Sequence, residues 1–118
     1  MATLPKNLLI CILTHNHVSV TKTLVRGLLH NLSDLDRSVI KQIYFCDSAS
    51  TDKTVPFLKH ICSQFNWNLI EIGENCPVKG INIVYKMDKE ADILILSNDH
   101  YPFPNSIWTL KYWIFSPR

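Results

Sequence analysis

Polar clusters interrupt an otherwise apolar chain, and they hold side chains able to do chemistry. Thr14-His15-Asn16 follows the apolar run Leu8 to Leu13. Asp47-Ser48 closes the run that begins at Ile40, with Ser50 and Asp52 just behind it. Asp99-His100 follows Ile93 to Leu96 after Ser97-Asn98. In open α/β sheets ligands sit outside the carboxyl ends of the strands, so a carboxylate there can accept a hydrogen bond from a base or a ribose. An aspartate beside a histidine can offer oxygen and nitrogen to a divalent cation, and the nitrogen suits Mn²⁺ better than Mg²⁺. Each cluster also has a plainer reading. Asp favours turns and helix caps, Thr-His-Asn is the polar loop that a strand needs in order to stop, and a loop histidine is most often only that.

Elements must position these clusters, and the hydropathy pattern defines them. Leu8 to Leu13 is a continuous apolar run, as in a central strand covered on both faces. Val20, Leu24, Leu28 and Leu32, with Val25 and Leu29, mark one helix face, and Ser19 is a suitable cap. Asn31 to Ser38 reads as a polar connection. Ile40 to Cys46 is a second strand. Phe57, Leu58, Ile61, Cys62 and Phe65 are spaced for a helix starting near Asp52 to Thr54, which leaves Pro56 in its first turn. Trp67 to Ile72 is a third strand and Gly73 to Gly80 a loop. Ile81, Val84 and Tyr85 mark a short helix ending near Lys89. Asp92 to Leu96 is a fourth strand, and Ser97 to Pro104 a polar, proline-rich loop. Asn105 can cap a last helix carrying Ile107, Leu110 and Ile114. Strands alternating with helices imply right-handed crossovers and a parallel sheet, the doubly wound α/β class.

The 118 residues form a single domain, 1–118, long enough to bury roughly two thirds of its unfolded surface. A hydrophobic content of 47% argues against disorder. The net charge of +2, on scattered Lys and Arg, argues against a nucleic-acid surface. No apolar run approaches the roughly 20 residues of a membrane span. The run after Lys6 is too short for a signal peptide and is broken by His15-Asn16-His17. Cys11, Cys46, Cys62 and Cys76 show neither CxxC spacing nor the density of a disulfide scaffold. They read as reduced thiols in a cytoplasmic protein, and a zinc site is not expected.

Segments spread over nearly the whole chain resemble, in order, the nucleotide-binding half of family 2 glycosyltransferases. Leu8 to Asn16 is similar to the family's strand followed by Thr-x-Asn, with Thr14 and Asn16 at the matching positions. Asp47 to Thr54 resembles its Asp-Asp/Asn-x-Ser-Thr-Asp-x-Thr signature, with Ser48 in place of the second acid or amide. Glu74 to Asn82 resembles Glu-Asn-x-Gly-x-x-x-Gly-x-Asn, with Pro77 replacing a frequent glycine. Ile93 to Asp99 is similar to the strand that ends in the Asp-x-Asp metal motif, but Ser97 and Asn98 leave Asp99 as its only carboxylate.

The resemblance implies a three-layer Rossmann-like (GT-A) half with a mostly parallel four-stranded sheet flanked by helices. It also implies a nucleotide sugar, with UDP-sugar the first expectation, as donor for inverting transfer to a carbohydrate or other hydroxyl acceptor. Substrate-binding candidates are Thr14, His15, Asn16, Asp47, Ser48, Asn75, Gly80, Asn82 and Asn98. Of these, Asp47 would accept from the base and His15 would stack near it. Asp99 and His100 would hold Mn²⁺ or Mg²⁺ on the diphosphate. Gly80 and Asn82 would stand at a helix start facing phosphate, whereas Ser50 and Asp52 read as structural.

Inverting transfer needs a general base within reach of the acceptor hydroxyl. In this family the base follows the metal motif, yet no acidic residue occurs from Asn105 to Arg118. The expectation is a donor-binding half whose acceptor-binding half is missing. Trp108, Tyr112, Trp113 and Phe115 would then face another domain or a second copy. A competing reading is a degenerate, non-catalytic nucleotide-binding module that assists a partner glycosyltransferase. A receiver-like signalling domain would want an acidic pair after the first strand, which Thr14-His15-Asn16 does not provide.

Overall fold

A computed structural model describes residues 8–100 of the chain. The last helix expected from Asn105, with its aromatic residues, lies outside the described residues. The first strand, β1 (Leu8–Thr14), is buried along nearly its whole length. It leads into α1 (Val18–His30) and α2 (Asp34–Val39), and then β2 (Ile40–Ser48). α3 (Thr54–Phe65), β3 (Asn68–Ile72), α4 (Pro77–Met87) and β4 (Asp92–Ser97) follow. The sheet is parallel throughout, in the order β3-β2-β1-β4. The chain steps outward from β1 to β3 and then returns to the other side of β1. That reversal is a topological switch point, and it opens a crevice at the carboxyl ends of β1 and β4.

Alternation along the strands sorts the core into two layers. Ile10, Ile12, Ile43 and Phe45 pack on one face with Leu24, Val25 and Leu28 of α1 and Leu58 and Cys62 of α3. Leu9, Cys11 and Cys46 pack on the other face with Val84 of α4. Gly80 permits that second layer to close: a Cβ built there would lie 2.6 Å from the Cβ of Cys46. No real side chain tolerates such a contact, so α4 can approach β2 this closely only through glycine.

Two expectations about local structure are corrected. The connection Asn31 to Ser38 contains α2, which begins in a capping box. Asp36 N–H donates to Ser33 Oγ at 3.1 Å, and Ser33 N–H to Asp36 Oδ2 at 3.0 Å. Arg37 then donates to the carbonyls of Leu28 and Leu29 at the end of α1, at 3.2 and 2.8 Å. Ser19 does not cap α1. The N-cap is His17, in the left-handed region at φ 57° with no capping bond from its own side chain, and the cap arrives from another loop.

Candidate functional site

The loops after β1, β2 and β4 meet at the crevice, and side chains from each bind the others. Strand register puts Thr14 beside Asp47. Thr14 Oγ1 donates to Asp47 Oδ1 at 2.7 Å, and Ser50 Oγ donates to the same oxygen at 2.5 Å. Ser50 N–H donates to Asp47 Oδ2 at 3.0 Å. A carboxylate has about four lone-pair directions, so most are occupied within the protein. With Asp47 only 1% exposed, this carboxylate holds its own loop from beneath. It was expected to accept from a base, and the structure gives it different donors.

Asn16 is the hub of the cluster, a role its sequence context did not reveal. It lies in the left-handed region at φ 56°, a conformation that Asn tolerates better than most residues. Its N–H donates to Ser50 Oγ at 2.8 Å. Its Oδ1 accepts from the backbone amides of Thr51 and Asp52 at 2.7 and 3.3 Å. Its carbonyl accepts from Asn98 Nδ2 at 3.3 Å, and that amide also reaches Thr21 Oγ1 at 3.4 Å. Asn98, expected to touch substrate, thus ties the loop after β4 to the loop after β1.

Asp52 joins two helix starts. Its Oδ1 accepts from Thr54 N–H at 2.9 Å and its Oδ2 from Val18 N–H at 3.1 Å. One carboxylate therefore meets orphan amides of both α3 and α1, where the helix dipoles also favour negative charge. The neighbouring Thr54 side chain, followed by the Thr54 and Val18 amides, lowers the Asp52 pKa below its usual value. The Thr54 hydroxyl is buried and forms no hydrogen bond of good geometry, so it acts on Asp52 as a nearby dipole. The structural reading of Ser50 and Asp52 matches this arrangement.

His15 stands exposed at the rim, with Nδ1 bonded to the carbonyl of Ser48. A carbonyl can only accept, so Nδ1 carries the proton there. Asn16 Nδ2 lies 3.4 Å from Nε2, completing a ring held from both sides. Ser48 itself is buried at the end of β2.

Across the switch point, β4 ends in a turn in which His100 N–H donates to Ser97 O at 3.1 Å. Ser97 N–H donates to His100 Nδ1 at 2.9 Å. That bond takes one of the two imidazole nitrogens expected to bind metal. Asp99 is exposed in the same turn. Among the described residues no three His, Cys, Asp or Glu side chains gather as a metal site. Asp99 and the remaining His100 nitrogen do not form one unaided, and a cation there would need most of its ligands from elsewhere.

The third segment does not join the cluster. Asn75 and Asn82 are exposed, and the bonds that lace the three loops do not include them. α4 starts at Pro77, so Gly80 and Asn82 lie inside the helix instead of at its start. The close approach that Gly80 allows is to Cys46 and not to phosphate. Lys79 is paired with Glu74. A shallow cavity of about 300 Å³, lined by Leu28, Leu32, Ile43, Phe65 and Trp67 among others, lies at the amino end of β2. It contains none of the laced polar residues.

The architecture, a parallel sheet with its crevice at the strand reversal, is that of a doubly wound α/β domain. Solved structures give it a closer likeness. TarS of S. aureus (residues 1–349) matches at a TM-score of 0.72 and 19% identity, over 92% of this chain and 32% of that one. The same protein in complex with UDP-GlcNAc matches equally well over 92% of this chain. The mannosyltransferase PcManGT of Pyrobaculum calidifontis, in complex with GDP-Man and Mn²⁺, matches at 0.71 and 18% identity, over 94% of this chain and 33% of that one. The chain has a GT-A glycosyltransferase-like fold. It spans a third or less of the length of each of these structures. No family model and no curated protein sequence matches it.

Proposed function

We propose that this chain is the donor-binding part of a glycosyltransferase, taking a nucleoside diphosphate sugar, with UDP-sugar as first choice. The observation that carries the reading is the laced crevice at the switch point between β1 and β4. Its rigid loops present an anchored imidazole on one side and a lone exposed carboxylate on the other. The nucleoside end falls to His15 as a stacking plane, with Thr14, Asn16, Asp47 and Ser48 shaping the floor. The diphosphate end falls to the turn of Asn98, Asp99 and His100. A divalent cation, Mn²⁺ or Mg²⁺, would offset charge on the departing diphosphate as a Lewis acid, with Asp99 as its protein carboxylate.

The solved neighbours include complexes with UDP-GlcNAc and with GDP-Man and Mn²⁺, which supports this ligand class. Inverting transfer to an acceptor hydroxyl is the reaction assigned to the whole enzyme, and donor binding is the part assigned to residues 8–100. The free cysteines support a cytoplasmic setting. Among the described residues no helix is long and apolar enough to cross a membrane.

The isolation of Asp99 favours a second reading, a nucleotide-binding module that assists a partner enzyme. Calorimetry with UDP and GDP, with and without Mn²⁺, tests the shared core of both. UDP should bind, and His15→Ala should weaken it about 5- to 150-fold, the usual worth of a base-stacking plane. If Mn²⁺ strengthens UDP binding and Asp99→Ala abolishes only that increment, a working donor site is supported. UDP binding with no metal increment favours the assisting module. Failure of any nucleoside diphosphate to bind at millimolar concentration would sink both.

A further inference from the structure

We infer that Asn98 is a positioning residue that registers the diphosphate turn against the nucleoside loops and does not itself bind the ligand. The inference rests on the donor-site reading above. Strands β1 and β2 are joined at their carboxyl ends by Thr14–Asp47 and by the Asn16 bonds to Ser50, Thr51 and Asp52. Among the described residues the loop after β4 has no comparable set of links. Its side-chain bonds to this cluster run from Asn98 Nδ2 to the Asn16 carbonyl at 3.3 Å and to Thr21 Oγ1 at 3.4 Å. Both bonds are long, so each is weak; what they fix is geometry. Asp99 is the next residue along, exposed, in a turn that among the described residues is closed on itself by Ser97 and His100. Strand pairing brings Ser97 beside Leu13; beyond that point, among the described residues, the Asn98 amide is the side-chain link between the turn that carries Asp99 and the loop that carries His15.

The chemistry of the residue fits this role. The two hydrogens of one Nδ2 group can serve two acceptors on different elements, one in the loop and one in the first turns of α1. Thr21 is fully buried, which makes it a fixed anchor. Aspartate at position 98 would set a carboxylate against the Asn16 carbonyl with no hydrogen to give it, leaving only the Thr21 hydroxyl able to turn and donate.

The experiment compares uridine and UDP affinity, with Mn²⁺ present, for the wild type and for Asn98→Ala, Asn98→Asp and Asn98→Gln. Uridine reports the nucleoside loops alone, and UDP reports both ends. Asn98→Ala should leave uridine affinity within about twofold. It should lower UDP affinity roughly 3- to 10-fold, the worth of about one neutral hydrogen bond. Asn98→Asp should do at least as much harm, and Asn98→Gln, which keeps the amide, should recover part of the loss. If the wild type binds UDP and Asn98→Ala leaves the UDP-to-uridine ratio unchanged, the positioning role is overturned while the donor site stands. Equal loss for both ligands also overturns it, because the residue would then be supporting the loops generally. If the wild type binds neither ligand, the donor-site reading fails and the role of Asn98 goes with it.

Discussion

Two oxygens of Asp47 serve two hydroxyls and an amide at a position 1% exposed to solvent. Asp47→Ala would remove the acceptor that two hydroxyls and an amide share, in a place with little water, and the hydroxyls can make good only part of that loss between themselves. Each buried unsatisfied group costs about 1–3 kcal/mol, so the variant should lose about 2–4 kcal/mol in urea denaturation. Asp47→Asn should lose less, because both hydroxyls keep an acceptor and only the Ser50 amide meets a donor. Asp52 makes a different prediction, because its carboxylate is exposed at the surface. Its pKa lies below the usual 3.8, through the Thr54 side chain first and then the Thr54 and Val18 amides. A depressed carboxyl pKa means that the unfolded chain takes up the proton first as the pH falls. The stabilisation is therefore complete above about pH 5 and is lost below pH 4, as the pH drops through the folded value. Urea midpoints of the wild type and Asp52→Asn should differ at pH 7 and converge toward pH 3. A gap that stayed constant with pH would mean that the carboxylate charge is not what joins α1 to α3.

At the scale of elements, the tightest constraint is Gly80. Asp47 can be replaced at a cost, but a Cβ at position 80 has nowhere to go while α4 remains seated on β2. Gly80→Ala should destabilise by about 1–3 kcal/mol, the usual cost of overpacking. Cys46→Ala should not rescue it, because the obstructing atom is the Cys46 Cβ and not the sulfur, whereas Cys46→Gly should relieve part of the strain. Thermal melts of the single and double variants read this directly.

The same elements show what a sequence discloses. The strands were legible as short, mostly apolar runs, most plainly in β1, which is buried along nearly its whole length, and Asp47 and Asp99 were legible as polar residues that follow where two of those runs stop. The helix at Asp34 was hidden by its polar composition, although Ser33 and Asp36 carry the spacing of a capping box. The cap of α1 was not legible at all, because its carboxylate lies 34 positions away in sequence. The roles of Asn16 and Asn98 were hidden for the same reason. Each is defined by a partner that only the parallel register brings near. Gly80 was expected at a helix start facing phosphate and instead lies inside α4 against Cys46, since periodicity does not say which strand a helix will cover.

For the whole molecule, strand order decides where stability and ligand response should lie. β1 pairs on both sides and is covered on both faces, with Ile10, Cys11 and Ile12 fully buried. Within the described residues β4 pairs only with β1, and Ile95 at its middle is 44% exposed. Local openings that free an edge strand disturb fewer contacts than those that free a central one. Amide hydrogen exchange should therefore be slowest in Ile10 to Ile12 and at least roughly 100-fold faster in Leu94 to Leu96. Equal protection in the two strands would mean that the outer edge of β4 is covered by residues outside 8–100 or by a second molecule. The crevice sits between these two strands of unequal stability, one fixed and one an edge. A ligand that bridges them is favoured most where ordering is least complete. UDP with Mn²⁺ should accordingly slow exchange at Asn98 and Asp99 more than at Asn16 and Ser50 to Asp52, whose amides are already held by side chains. Protection confined to the Asn16 side would place the ligand on the nucleoside loops alone and leave Asp99 without a part in binding.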